Sequence, residues 1–183
     1  MHVTKLHGLG NDYIFHRPTE ERDWEDISRR ISDRHFGLGS DGLILALPSD
    51  KADLKMRIFN ADGSEAEMCG NGIRCIGKYA VEEGMVPADA ECITVETGAG
   101  ILVLQLFRQN GLVTSARVDM GKPRLEPSEI PANVEGSGPI LGMPLSVGGM
   151  DLKLTLVSMG NPHAIHYIES GIEDFPLERI GPL

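Results

Sequence analysis

Residues 54–84 read LKMRIFNADGSEAEMCGNGIRCIGKYAVEEG. Leu54, Met56 and Ile58 alternate with Lys55 and Arg57, the period of a half-buried strand, and the pattern stops at Asn60. Ile73, Ile76, Gly77, Ala80 and Val81 then recur at i, i+3, i+4, i+7 and i+8, the period of a helix, and Gly84 is placed to end it. A strand, a glycine-flanked loop and a helix therefore follow one another within this segment. Upstream, Leu43-Ile44-Leu45-Ala46-Leu47 is a continuous apolar run stopped by Pro48, which reads as a strand buried on both faces. Trp24, Ile27 and Ile31 fall at helical spacing. Further strands are expected at Ile93–Glu96, Ile101–Phe107, Val113–Met120 and Leu152–Val157. Strands and helices mix without strict alternation, so an α/β (α+β) fold is expected, a mixed sheet wrapped around a central helix. Residues 121–150 hold five prolines and several glycines, and read as an irregular crossover between domains with a short strand near Leu145–Val147.

Composition narrows the function classes. In 183 residues, 17 Lys and Arg face 27 Asp and Glu, a formal net charge of −10, which argues against nucleic acid as a partner. Apolar residues at 41% and charged residues at 24% fit a globular chain. No apolar run approaches the ~20 residues of a membrane span, and the first residues lack the apolar stretch of a signal peptide. A cytoplasmic protein with no membrane partner is expected. Its three cysteines are then expected to be thiols, and an odd number leaves at least one unpaired in any case.

Within the loop, Cys69 falls at or just before the N-terminus of the expected helix. Unpaired backbone N–H groups and the helix dipole there favour an anion, so they favour a thiolate. The same groups can hold a carboxylate, and Gly70 and Gly72 permit close approach. An inert packing cysteine is the alternative, and it is the reading adopted for Cys75 and Cys92. The spacing of the three fits no zinc site, so no metal is expected. Gly37 to Gly42 spells G-x-G-x-x-G, but a helix precedes it and a strand follows, the reverse of the dinucleotide-binding order; a tight turn is the better reading. Two Gly-Asn turns, at Gly10-Asn11 and Gly160-Asn161, each follow a strand pattern and hint at an internal duplication. Asn both donates and accepts, which suits an ammonium-carboxylate ligand. His163, close to the second turn, is by itself more often structural than catalytic.

Taken together, residues 5–13 (KLHGLGNDY), 33–42 (DRHFGLGSDG), 59–64 (FNADGS), 68–75 (MCGNGIRC), 96–100 (ETGAG) and 160–163 (GNPH) resemble the diaminopimelate epimerase family. Proline racemases and phenazine-biosynthesis enzymes share that fold without this set of motifs. The resemblance implies a pseudo-duplicated two-domain fold, with residues 1–118 as the first domain and 119–183 as the crossover and an incomplete second domain. It implies a final strand that returns to the first domain. It implies an isomerase interconverting LL- and meso-diaminopimelate for lysine and peptidoglycan precursors, acting as a homodimer without pyridoxal phosphate, other cofactor or metal. Two cysteines work from opposite faces of the α-carbon, and Cys69 matches one. Asn11, Asn60, Asn161 and the backbone of Gly70 and Asn71 match substrate-holding positions; His163 matches a position near the cysteines. The family's second cysteine, in an Ala-Cys-Gly-Thr-Gly loop, does not occur here. The 58-residue step from Asn11 to Cys69, repeated from Asn161, reaches about residue 219, beyond this sequence. Residues 1–183 are therefore expected to be the N-terminal two-thirds of such an enzyme, inactive alone, or else a non-catalytic amino-acid-binding fragment. A cysteine hydrolase pairing Cys69 with His163 is a third, weaker reading. Gly42 also departs from the family, some members of which carry a substrate-contacting glutamine at that position.

Overall fold

The computed structural model describes residues 1–169 and 171–183. They form two compact units, residues 1–120 and 121–183.

The first unit contains strands β1 (Thr4–Gly8), β2 (Asn11–His16), β3 (Gly42–Leu47), β4 (Leu54–Asn60), β5 (Glu65–Ala66), β6 (Cys92–Thr97), β7 (Gly100–Gln109) and β8 (Leu112–Val118), with helices α1 (Trp24–Ser32) and α2 (Gly70–Glu82). The strands make one sheet in the order β1-β2-β3-β4-β6-β7-β8, and β5 pairs with β4. The β2/β3 and β4/β6 pairs are parallel and the others antiparallel, so the sheet is mixed. Each parallel pair is bridged by a helix, as parallel neighbours require a long crossover. The sequence pattern showed no strict alternation of strand and helix, consistent with only two such parallel pairs in an otherwise antiparallel sheet.

The sheet wraps α2. Ile73, Ile76 and Tyr79 of the helix are buried together with Phe15, Ile44, Met56, Ile58, Ile93, Val95, Leu104 and Leu106. Complete burial of each such side chain contributes roughly 1.5–3 kcal/mol, so this helix face dominates the core. The other face of the central strands is covered by α1, where Trp24 packs with Ile14, Leu43, Leu45 and Phe59. Alternate residues of β3 thus face different helices, which is why its apolar run is unbroken. At its C-terminus α2 closes through paired bonds from Met85 N–H to Ala80 O (2.9 Å) and Gly84 N–H to Val81 O (3.1 Å). Gly84 has φ +62°, the left-handed conformation that this cap requires.

The sheet's two edge strands, β1 and β8, flank a groove of about 470 Å³ lined by Leu6, Leu9, Val113 and Ala116, with Arg74, Cys75 and Lys78 of α2 also on its wall.

The second unit holds a three-stranded antiparallel sheet, β11-β10-β9, built from β9 (Met143–Val147), β10 (Met150–Ser158) and β11 (Pro162–His166). A 3-10 turn at Ile172–Asp174 and the short helix α3 (Leu177–Ile180) follow. Residues 162–166, directly after the Gly160-Asn161 turn, form a strand the sequence pattern did not mark, and Pro162 stands at its first position, where a missing N–H is tolerated.

Candidate active site

Cys69 is the N-cap of α2. Its carbonyl accepts the first helical bond from Ile73 N–H (2.9 Å), and its Sγ accepts from Gly72 N–H (3.4 Å). The sulfur thus sits among the N–H groups of the first helical turn, which lack intrahelical partners. Gly70 is open: an added Cβ would meet nothing within 4 Å. Gly72 is closed, because an added Cβ would lie 2.6 Å from Ile44 Cδ1. One glycine leaves space for a ligand above the helix end, and the other lets the helix rest on β3.

Asn11 opens β2 after a two-residue turn in which Leu9 (φ +56°) and Gly10 (φ +87°) are both left-handed. That is the hairpin turn whose twist matches the paired strands. The turn delivers the Asn11 amide to the sulfur: the Cys69 thiol donates to Asn11 Oδ1 at 3.4 Å, and Asn71 Nδ2 donates to the same oxygen at 3.2 Å. Gly8 permits this approach, since its Cβ position is only 3.2 Å from Asn71 Cβ. Arg74 donates to the Gly70 carbonyl (2.7 Å) and to Asn71 Oδ1. Cys69, Gly70, Asn71 and Asn11 therefore converge on one end of α2.

Asn60 lies at the end of β4, where its Nδ2 donates to Ser64 Oγ at 3.0 Å. Its backbone closes the same turn with Ser64 and Gly63. Among the described residues no hydrogen bond joins it to Asn11, Asn71 or Cys69. Asn161 and His163 belong to the second unit and are exposed, with the imidazole Nε2 3.2 Å from Asn161 Oδ1. Cys75 is buried, and burial pushes its thiol up from the usual range; Cys92 is exposed at the start of β6. Among the described residues no group of His, Cys, Asp and Glu is arranged to hold a metal ion.

Tyr13 was not legible as a site residue. It is buried on the α2 side of β2, in the same cluster as Cys69. Burial above all, and then the neighbouring Cys69, push its phenol far above the ordinary range. The phenol therefore keeps its proton at neutral pH. The alternation of β2, with Tyr13 and Phe15 on one face, was the available signal. Gly42 is also explained sterically: an added Cβ would lie 2.2 Å from Phe59 O and 3.0 Å from Tyr13 Cε1.

A sequence model of the family described as diaminopimelate epimerase matches residues 3–126. The diaminopimelate epimerase of Acetivibrio thermocellus is 51% identical across the whole of this chain, which covers 64% of that relative. That of Methanococcus maripaludis is 52% identical, again over the whole chain and 65% of the relative. The chain thus spans just under two-thirds of the length of these curated relatives. A probable proline racemase from Agrobacterium radiobacter superposes with a TM-score of 0.68 at 18% identity, over 88% of this chain and 50% of that one. A PhzF-family phenazine biosynthesis protein of Bacillus anthracis gives 0.57 at 23% identity, over 90% and 54%. These structures share the fold. The match over residues 3–126 includes the thiol-capped helix and its asparagines, and with identity near one-half along all 183 residues it places the chain in the diaminopimelate epimerase family.

Proposed function

We propose that residues 1–183 carry one half of the proton-transfer site of a cofactor-independent diaminopimelate epimerase. The observation that carries this reading is the position of Cys69: a thiol capping a helix, with open space above Gly70 and the amides of Asn11 and Asn71 beside it. Abstraction of an α-proton without an electron-sink cofactor needs stabilisation of the substrate carboxylate, and first-turn N–H groups supply it without reorganisation. In this reading the Gly70 and Asn71 N–H groups hold the α-carboxylate. One cysteine takes the proton and a second returns one to the opposite face, which inverts the centre. Asn11, Asn60 and Asn161 orient the substrate, and His163 stands near the reacting groups. Residues 1–118 form the first epimerase domain and 119–183 the crossover with part of the second. The groove between β1 and β8 supports the return of the family's final strand to this sheet. Interconversion of LL- and meso-diaminopimelate in lysine and peptidoglycan precursor synthesis, a homodimer and a cytoplasmic location complete the proposal.

A second reading, a binding fragment without turnover, is favoured for these 183 residues by the state of the other thiols. Cys75 is buried and Cys92 is exposed on β6, and neither matches the opposing acid. One experiment separates the readings. LL-diaminopimelate is expected to protect Cys69 of the 183-residue protein from iodoacetamide, while α-deuterium incorporation in D₂O stays at background. Absence of protection refutes the site. Turnover near that of a whole family member refutes the single-thiol assignment. In a whole enzyme, Cys69→Ala abolishes epimerisation and Cys75→Ala does not.

A further inference from the structure

Asp41 stands just before the final glycine of the G-x-G-x-x-G segment, and it reaches back to the candidate site. Asn11 Nδ2 donates to Asp41 Oδ2 at 2.7 Å, and Asp12 N–H donates to the same oxygen at 3.0 Å. Arg34 holds the other Asp41 oxygen (2.9 Å) and both oxygens of Asp12 (2.8 and 3.2 Å). Lys5 adds an ion pair to Asp12 at 3.0 Å. The glycines fix this segment: at Gly37 an added Cβ would lie 2.4 Å from Arg30 O, and Gly39 has φ +72°. The turn therefore presents Asp41 to Asn11 from a rigid backbone.

The chemistry of the two ends sets the orientation of everything between them. A carboxylate only accepts and a guanidinium only donates. Asp41 must therefore face the amino group of Asn11, and Arg74 must face the carbonyl of Asn71. Asn71 then donates to Asn11 Oδ1, and that carbonyl is left pointing at Cys69. An acceptor at this position favours the sulfur that carries a proton, in opposition to Gly72 N–H on its other side. The other titratable groups around the sulfur are Tyr13 on β2 and Arg74 and Cys75 on α2. Asp41, Asp12, Arg34 and Lys5 stand behind Asn11.

We propose that Asp41 is a positioning residue for Cys69: by holding the Asn11 amino group it keeps the Asn11 carbonyl on the thiol, and so restrains the sulfur until a ligand takes that carbonyl. The proposal rests on Cys69 as the reacting thiol, but its test needs no substrate.

The rate of Cys69 alkylation by iodoacetamide at pH 7, followed by peptide mass in the 183-residue protein, reports the thiolate fraction. Asp41→Ala frees Asn11 and is expected to speed alkylation about threefold, the effect of losing one weak hydrogen bond to the thiol. Asp41→Asn keeps an acceptor oxygen for Asn11 and is expected to stay near the wild-type rate. In an Asn11→Ala background, which is itself faster, Asp41→Ala is expected to add nothing. Equal acceleration by Asp41→Ala and Asp41→Asn would reveal a plain charge effect and overturn the proposal. So would an unchanged rate in Asp41→Ala, or acceleration that persists without Asn11. If Asp41→Ala loses its far-UV dichroism, Asn11→Ala decides alone, and an unchanged or slower rate there overturns the proposal. Any of these failures leaves substrate protection of Cys69, and with it the epimerase reading, separately testable.

Discussion

Gly42→Ala sets two effects of opposite sign against each other. Replacing glycine in a strand ordinarily stabilises by about 0.5–1 kcal/mol, because alanine loses less backbone freedom on folding. At Gly42 the added Cβ would stand 2.2 Å from the Phe59 carbonyl oxygen. Carbon and oxygen in ordinary contact stand about 3.3 Å apart, so strands β3 and β4 must separate locally by about 1 Å. They are paired there through Gly42 and Asn60, with Tyr13 of β2 on the other side. Overpacking of this kind costs about 1–3 kcal/mol, and a backbone atom as the obstacle puts the figure at the upper end. Subtracting the entropic gain leaves a net loss of about 2 kcal/mol. Trp24 is the sole tryptophan and packs against Leu43 and Leu45, so its fluorescence in urea reports this unit. With a slope near 1.5 kcal/mol per molar urea, the midpoint is expected to fall by about 1.3 M. Gly70→Ala is the control, since no atom lies within 4 Å of its Cβ position and the midpoint should hold or rise. A Gly42→Ala midpoint at or above wild type would refute the steric account.

Two further outcomes follow from the electrostatics. Arg34, and with it Lys5, holds the Asp12 carboxyl far below the ordinary carboxylate value of 3.8. A carboxyl depressed in this way contributes stability above that value and loses it as pH falls below it, towards the folded-state value. Arg34→Gln should therefore lower the Trp24-reported urea midpoint at pH 6 and converge on wild type below about pH 4; a gap that stays constant across that range would contradict the assignment. Burial pushes Tyr79 up to about 12, and Tyr13 higher still through burial and its contact with Cys69. The folded chain has three tyrosines, so phenolate absorbance at pH 11 should reach no more than about one-third of its value in denaturant. A larger fraction without loss of fold would show that Tyr13 or Tyr79 is open to water.

The sequence marked most of the elements and which cysteine caps α2. Local periodicity marked β4, β3 and α2, because an apolar stripe at period 2 or 3.6 reflects which face a single element buries. The glycine-flanked cysteine before Ile73 marked a helix N-cap, because the first turn of a helix leaves donors that a sulfur can meet. The same local logic separated Cys69 from Cys75 and Cys92. Non-local geometry decided the rest. Two parallel strand pairs joined by helices, and a groove between β1 and β8, depend on which strands find each other across the sheet. Tyr13 reads as one more alternating apolar position until α2 docks on it and brings Cys69 to its phenol. Asp41 reads as part of a glycine turn until residues thirty apart in sequence meet, and Asn11 then has a carboxylate on one side and a thiol on the other. Hydrogen-bond orientation at the site is a property of that meeting, since a donor-only and an acceptor-only group fix an amide only when both are within 3 Å or so of it.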